Sequence, residues 1–206
     1  MKATDSGSGT FEQAPTGTHV ARCYKLIDLG TQLREFQGES KKSRQFIMGW
    51  ELPGELMTTG EYAGQPFTVS KFYTLSLHEK ATLRAHLKSW RGRDFTPAEL
   101  EGFDLKNLLG KACMVSVVMN DKGRATVGGV MALPKGMTVP DAVNPNVYFS
   151  LDPEEFDPAA FDAFSDKMKA IITPSDEYKA RSEKPKAKAP APAGAAEFED
   201  DTEIPF

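Results

Sequence analysis

The stretch PFTVSKFYTLSLHEKATLRAHLKSW, residues 66–90, changes its hydrophobic periodicity halfway along and thereby decides the expected fold. In its first half apolar and polar side chains alternate, which is typical of a β-strand with one buried face. One face carries Phe67, Val69, Lys71 and Tyr73, and the other carries Thr68, Ser70, Phe72 and Thr74. Further along, Leu83, Leu87 and Trp90 recur at helical spacing. The stretch therefore predicts a strand followed directly by a helix over residues 78–90.

Two strand-like runs precede this stretch. THVARCYKLIDL, residues 18–29, ends at Gly30, and RQFIMGWEL, residues 44–52, ends before a Pro-Gly pair. Both ends are expected because glycine and proline interrupt strands. The polar residues 31–43 between the runs are expected to form a loop. Period-two spacing in the first run directs some side chains inward (Ala21, Cys23, Ile27) and others outward (Arg22, Tyr24).

Two further runs follow the central stretch. KACMVSVVM, residues 111–119, and RATVGGVMAL, residues 124–133, flank the turn sequence Asn-Asp-Lys-Gly. This arrangement predicts a β-hairpin. Within the second run, Gly128 and Gly129 predict a bulge or a close approach of another backbone segment.

A short second helix is predicted from Thr96, where an N-cap residue is followed by Pro97 and by the capping-box acid Glu99, with its end near Gly102. The resulting order is strand, strand, strand, helix, strand, strand. It is the chain order of the OB-fold, a small five-stranded Greek-key barrel. We therefore expect a mainly β protein whose OB-fold barrel spans residues 17–133, with a helical insertion after the third strand.

The flanking segments differ from this body in composition. Residues 1–16 are small and polar and predict a flexible N-terminus. Residues 134–172 predict a partly ordered extension with a docking helix. The apolar side of that helix would carry Phe156, Phe161, Phe164, Met168 and Ile171. Residues 173–196 are rich in Lys, Pro and Ala and predict a disordered linker. A disordered acidic tip, residues 197–206, is expected to follow it.

Composition and charge favour a soluble protein that binds nucleic acid. No run approaches the roughly 18 apolar residues that a membrane helix needs, and no apolar signal sequence begins the chain. We therefore expect a cytoplasmic protein without membrane contact, in the host cytoplasm if a phage encodes it. Cys23 and Cys113 lie inside apolar runs and predict two buried free thiols. Residues 1–133 carry a net charge of +3 and residues 134–206 carry −7, as expected for a DNA-binding body with an acidic tail.

The last ten residues, EFEDDTEIPF, combine five carboxylates with an apolar end. A phenylalanine ring beside a terminal carboxylate suits an apolar pocket with a basic rim. The segment resembles the acidic C-terminal tip of bacterial and phage single-stranded DNA-binding proteins, although Thr202 interrupts the usual run of aspartates. The resemblance implies a tip that recruits replication, recombination and repair enzymes. The residues that would do so are Asp200, Asp201, Glu203, Ile204, Pro205 and Phe206.

The body, from Gly17 to Leu133, also resembles a phage family of single-stranded DNA-binding proteins. The resemblance is carried by three stretches, HVARCYKLIDLGTQ at residues 19–32, YTLSLHEKATLRAHLKSWRGRDF at 73–95 and FDLKNLLGKACM at 103–114. It implies an OB-fold and binding without sequence preference during phage replication or recombination.

Single-stranded DNA is bound by aromatic rings that stack on bases and by cations that follow the phosphates. The body carries both residue types close together in sequence. The predicted DNA-binding residues are Arg22, Tyr24, Lys41, Lys42, Arg44, Trp50, Lys71, Tyr73, Trp90, Arg91 and Arg93. Two alternatives stay open, because aromatic residues in strands also fill cores and because Lys41 and Lys42 also suit a solvated loop.

Enzyme motifs are absent from the sequence. His19, His78 and His86 stand apart, and neither an HExxH motif nor a cysteine pair at zinc spacing occurs. We therefore predict no catalytic residue, no metal and no cofactor. One rival hypothesis is an adaptor whose tail diverts host enzymes without binding DNA, and another is a nuclease or annealing factor. The sequence leaves the oligomeric state open.

Overall fold

The computed structural model describes residues 12–36, 39–138 and 141–182, and its main feature is one β-sheet. The five principal strands are β1 (Gly17–Phe36), β2 (Glu39–Leu56), β3 (Pro66–Thr74), β4 (Ala112–Met119) and β5 (Ala125–Met131). They lie in the order β3-β2-β1-β4-β5, and every neighbouring pair is antiparallel. A short sixth strand, β6 (Val147–Phe149), pairs in parallel with β1.

The helices fall between β3 and β4 and after β6. They are α1 (Thr82–Arg91), α2 (Pro97–Glu101), a turn of 3-10 helix (Leu105–Leu108), α3 (Pro158–Asp162), α4 (Asp166–Ile172) and α5 (Asp176–Ser182). The predicted helical insertion after the third strand is confirmed. The capping box of Thr96 and Glu99 is present at the start of α2, as predicted. Gly92, with a φ of 68°, ends α1 in the left-handed conformation.

The alternation predicted for β3 and the hairpin predicted for β4 and β5 are confirmed. Phe67, Val69 and Tyr73 are buried and Lys71 on the same face is partly buried, whereas Thr68, Ser70, Phe72 and Thr74 on the other face are exposed. The turn between β4 and β5 closes with a hydrogen bond from the amide of Gly123 to the carbonyl of Asn120. The register of the two strands shifts next to Gly128, which is the bulge that the glycine pair predicts.

The expected loop at residues 31–43 is wrong, because β1 and β2 continue through it as one long hairpin. Gly30 does not end the strand. It adopts a φ of 69° at a register shift, so it acts as a bulge that bends the strand and lets pairing resume at Thr31. Similarly, the Pro-Gly pair after Leu52 shifts the register of β2 against β3 without ending β2.

The sheet carries a core on each of its two faces, which the sequence did not predict. Ala21, Cys23 and Leu26 of β1 lie in a first core, closed by α1 and by the inner faces of β2 to β5. A bulge between Cys23 and Lys25 then changes which face of the sheet each side chain occupies. As a result Ile27 belongs to a second core on the opposite face, and its predicted inward orientation alongside Ala21 and Cys23 is wrong. Both cysteines are buried and free, as predicted.

The second core is covered by the C-terminal extension. Phe149 and Leu151 pack on Ile27 and Ile47 of the sheet. The apolar residues predicted to line one docking helix do pack there, but they are divided among α3, α4 and the turns beside them: Phe156, Phe161, Phe164, Met168 and Ile171. Prolines and the N-cap residues Asp157 and Ser165 explain this division, because each starts a new helix.

Two predicted boundaries are corrected by the described residues. The predicted start of the linker at residue 173 is wrong, because residues 173–182 contain α5, whose Glu177 carboxylate accepts hydrogen bonds from the backbone amide and hydroxyl of Thr31 at 2.6 and 2.7 Å. At the other end, Glu12 accepts hydrogen bonds from Thr58 and Thr59, so residues 12–16 are held against the body. The rest of the predicted flexible N-terminus, the remaining linker and the acidic tip lie outside the described residues.

Replacing Gly30 with alanine tests how the extension is attached to β1. Besides the left-handed φ, a Cβ at this position would lie 2.5 Å from Cβ of Ser175 and 2.7 Å from a carboxylate oxygen of Glu177. Gly92→Ala is the matched control, since its φ of 68° is nearly the same but its Cβ would have open space. We expect urea unfolding to give a loss of about 1–2 kcal/mol for Gly92→Ala and about 2–5 kcal/mol for Gly30→Ala. Equal losses would contradict the close packing of α5 on β1.

Within the described part of the chain, no helix is both long enough and apolar enough to span a membrane.

Candidate nucleic-acid interface

An open groove of about 670 Å³ follows the end of β3, between the β1–β2 hairpin and the beginning of α1. Its cationic lining consists of three lysines, Lys41, Lys71 and Lys80, and the side chain of His78 also lines it. Among the described residues, no carboxylate lines the groove. The groove therefore presents a positive potential that carboxylates within it do not cancel, as a binding site for phosphates requires.

Phe72 supplies an aromatic ring to the same groove and is 47% exposed. It lies on the solvent face of β3, where its neighbours Ser70 and Thr74 are polar, and it pairs across the sheet with Ile47. A half-exposed ring on a polar face is available for stacking. Sequence reasoning did not select Phe72, although one signal was present. An aromatic residue that alternates with Thr and Ser belongs to the solvent face, whereas Tyr73, in phase with Val69, belongs to the core.

The lysines of the groove differ in how tightly they are held. Lys41, on the β1–β2 hairpin, and Lys80, before α1, are exposed and form no ion pair with another described side chain. Lys71 is partly buried, and its ammonium group donates a hydrogen bond to the carbonyl of Val127 at 2.7 Å. Lys41 and Lys80 are therefore unpaired cations exposed to solvent within the described part of the chain, whereas the ammonium group of Lys71 is held in place by a backbone carbonyl.

The first turn of α1 adds to this positive potential. Ala81 occupies the N-cap position and makes no side-chain cap, and no acidic residue lies in the first turn. Ala81, Thr82 and Leu83 all line the groove. The uncapped backbone N–H groups at the start of a helix favour an anion nearby. These N–H groups therefore add to the positive potential that the lysines give the groove.

Tyr73 lines the groove and is joined to His86 of α1. The Tyr73 hydroxyl and Nδ1 of His86 are 2.7 Å apart. Burial raises the pKa of Tyr73 above its ordinary range. Burial, followed by the nearby charge of Lys71, lowers the pKa of His86. At neutral pH both side chains are therefore uncharged, and this pair is a neutral structural contact between β3 and α1.

The aromatic residues predicted to stack on bases are core residues, and these assignments are wrong. Trp50 is 0% exposed and Tyr73 is 3% exposed, while Trp90 and Tyr24 are each 7% exposed. The indole N–H of Trp90 is satisfied by the carbonyl of Ala112 at 2.9 Å, and its ring packs on Trp50 at 6.4 Å between centroids. The physical reason is that α1 covers the face of the sheet that carries Trp50 and Tyr73.

Arg22 and Arg44 are also removed from the candidate site, because both form buried or partly buried ion pairs. Arg22 donates to Glu51 at 2.5 Å and to Asn146 at 2.6 Å. Arg44 pairs with Asp28 and with Asp152 in the extension. A phosphate would have to break these contacts to reach either guanidinium group.

The remaining predicted cations lie outside the groove. Arg91 and Arg93 share the carboxylate of Glu99, and the guanidinium of Arg91 packs on Phe95 at 4.4 Å. The hydrogen bond from Arg93, followed by that from the Thr96 amide, lowers the pKa of Glu99 to about 2. Lys42 pairs with Asp176 of α5 at 2.8 Å. Of the predicted residues, the structure therefore brings Lys41, Lys71 and the edge of Tyr73 together at one groove.

The charged groups of the groove are lysines, and Phe72 is the half-exposed ring among its described lining residues. Nowhere in residues 12–36, 39–138 and 141–182 do three or more His, Cys, Asp or Glu side chains converge to hold a metal ion.

The chain matches no protein-family model and no curated protein sequence.

Proposed function

We propose that this protein binds single-stranded DNA without sequence preference, along the groove beside β3. The observation that carries the proposal is the combination of an exposed aromatic ring, Phe72, with three lysines in a groove that no described carboxylate lines. Stacking on a ring tolerates every base, because every base has a π-face, and lysines contact the phosphates that all sequences share. Both contacts therefore support affinity without sequence readout.

The sheet order supports an OB-type barrel as the scaffold of this site. In that fold the two edge strands of the order β3-β2-β1-β4-β5 approach each other to close a barrel. The side chain of Lys71 reaches from β3 to the Val127 carbonyl of β5, so the two edges are bridged at this point. We propose that the barrel is closed through such side chains, with the β5 bulge at Gly128 accommodating them.

A single strand fits this groove better than a duplex does. Stacking on Phe72 requires an unpaired base, whereas the rigid double helix keeps its base faces covered. The β1–β2 hairpin, which carries Lys41, and the start of α1, beside Lys80, flank the ring. A flexible strand can therefore place a base on Phe72 and phosphates on lysines to either side.

The proposal is tested by fluorescence anisotropy of labelled oligo-dT over a salt series, with a duplex of matched length as control. If three lysines contact phosphates, log Kd should rise with log salt with a slope of about 2, at about 0.7 for each contact on a single strand. Duplex DNA should bind much more weakly. An absence of oligo-dT binding at low salt would refute the proposal and favour the tail-bearing adaptor.

The second part of the proposal concerns the acidic tip, residues 197–206. We propose that it recruits replication, recombination and repair enzymes, as the tips that it resembles do. This part is supported by sequence alone, because the tip lies outside the described residues.

A further inference from the structure

A second cleft, of about 310 Å³, lies where the extension meets the sheet, and its chemistry is opposite to that of the groove. Its apolar surface includes Leu75, Phe103 and Leu105, and Leu75 is 42% exposed. Asp104, Asp152 and Glu155 supply acidic groups to its lining. A cleft with an apolar floor and carboxylates at its edge excludes a phosphate backbone and suits a cationic segment with small apolar residues.

The charges within this cleft leave a negative excess. Among the described residues that line the cleft, Arg44 is the one cation, and it is already paired with Asp28 and Asp152. Glu155 pairs with Lys106 from outside the cleft and accepts a hydrogen bond from the hydroxyl of Tyr148. These contacts, that of Lys106 first, lower the pKa of Glu155, so this carboxylate is ionised at neutral pH.

The described chain ends beside this cleft. The guanidinium of Arg181, in the last turn of α5, lies 3.8 Å from the ring centroid of Phe156. Phe156 packs on Phe149 with 5.6 Å between centroids, and Phe149 lines the cleft. Glu155 is the residue immediately before Phe156. The last described turn of the chain therefore contacts the residue that directly follows Glu155.

We propose that residues 184–192, KPKAKAPAP, dock in this cleft as an electrostatic clasp. Lys184, Lys186 and Lys188 alternate with proline and alanine, so an extended segment carries its cations at intervals of about 6 Å, at roughly 3.1 Å per residue. The lysines face the carboxylates of Asp104, Asp152 and Glu155, and the alanines and prolines cover the apolar floor. Because the segment continues directly from α5, its effective concentration at the cleft is high.

The clasp shortens the tether between the body and the acidic tip. Each exposed ion pair is worth at most about fivefold in the docking equilibrium, so the clasp is weak and opens as salt rises. It requires no DNA, so its test is independent of the proposed DNA-binding function.

The clasp is tested by paramagnetic NMR on the full chain. A spin label on the single variant Ala187→Cys is selective, because Cys23 and Cys113 are both buried. At low salt we expect broadening of the amide signals of Leu105, Tyr148 and Glu155, but not of Lys122 on the distant β4–β5 turn. Broadening should fall when salt is raised to about 0.5 M, where the Debye length drops below about 5 Å.

Charge variants decide whether the acidic edge is responsible. Glu155→Gln should lower the broadening about two- to fivefold, since one ion pair is lost. Glu154→Gln is the matched control, because this adjacent acid is exposed but does not line the cleft, and it should leave the broadening unchanged. Equal broadening in both variants, or none at low salt in the parent, would overturn the proposal. In a mixed sample, spin-labelled copies could instead be found to broaden the signals of copies that carry no spin label. That result would also overturn the proposal, since the occupant of the cleft would then be a second chain.

Discussion

Replacing Phe72 with alanine together with Lys41→Gln and Lys80→Gln is expected to weaken binding to oligo-dT by about 100-fold or more at low salt. Loss of one stacked base costs about 1–3 kcal/mol, which corresponds to about 5- to 150-fold. Loss of two phosphate contacts removes the counterion release that each provides. All three side chains are exposed and lie in one groove, so the fold should be unaffected.

Changing the ring alone and the two lysines alone separates the contribution of stacking from that of the phosphate contacts. Phe72→Ala should lower affinity without changing the salt slope, because the ring carries no charge. The double variant Lys41→Gln and Lys80→Gln should lower the slope by about 1.4, at about 0.7 for each contact. Tyr62→Ala is the matched control for the ring, because Tyr62 is 48% exposed but lies away from the groove. Lys122→Gln, on the β4–β5 turn, is the control for charge.

These controls also make the assignment of the groove refutable. If Tyr62→Ala weakens binding and Phe72→Ala does not, the strand follows a different surface of the sheet. If Lys122→Gln lowers the salt slope as much as each lysine of the groove does, the DNA is held by diffuse electrostatic attraction and does not follow a defined path along the groove.

Arg22→Met is expected to lower the free energy of unfolding by about 3–5 kcal/mol, because it leaves the carboxylate of Glu51 buried without its cation. Glu51 is 0% exposed and also accepts hydrogen bonds from the backbone and side-chain amides of Asn144 at 2.7 Å. Urea unfolding at neutral pH measures the loss. Arg93→Met is the control, since its ion pair with Glu99 lies at the protein surface and its loss should leave the free energy of unfolding nearly unchanged.

DNA binding by the folded fraction should be nearly unchanged in Arg22→Met, because Arg22 lies in the internal network and not in the groove. A large fall in affinity with normal stability would contradict this placement and restore Arg22 as a phosphate ligand.

The same ion pair gives the stability a defined pH dependence. Burial opposes ionisation of Glu51, but the hydrogen bonds from Arg22 and Asn144 outweigh it and lower the pKa of Glu51 below its ordinary value. Because the pKa of Glu51 is lower in the folded state, its ion pair contributes fully to the free energy of unfolding at pH values above the pKa that Glu51 has in the unfolded chain. This contribution is lost as the pH falls through the lower folded value. In Arg22→Met this acid-side loss should be smaller.

Much of the strand and helix order followed from local pattern. Alternation in β3, helical spacing in α1 and the capping box of α2 each depend on residues close together in sequence. The loop predicted at residues 31–43 failed because its side chains are polar. The strands pair there through their backbones, and the sequence lacks the apolar alternation from which strands are recognised.

The candidate site was predicted less well than the fold, because exposure is a tertiary property. Sequence reasoning identified aromatic residues beside cations, and this pattern is shared by binding surfaces and by cores with ion pairs at their edges. Trp50 and Phe72 illustrate the problem, since both lie in strands near basic residues, yet one is 0% and the other 47% exposed. Only the position of α1 over one face of the sheet distinguishes them.

The sequence by itself determined the strands β3, β4 and β5, the helices that follow β3, the free buried thiols and the acidic end of the chain, because each depends on local periodicity or composition. The tertiary structure decided which face of β1 is inward on either side of its bulge, and which cations are already paired with carboxylates distant in sequence. It also decided that the extension forms a second core. The physical reason is that burial and ion pairing depend on segments more than 100 residues apart, as Arg22 and Asn146 are, and local sequence carries no record of those distances.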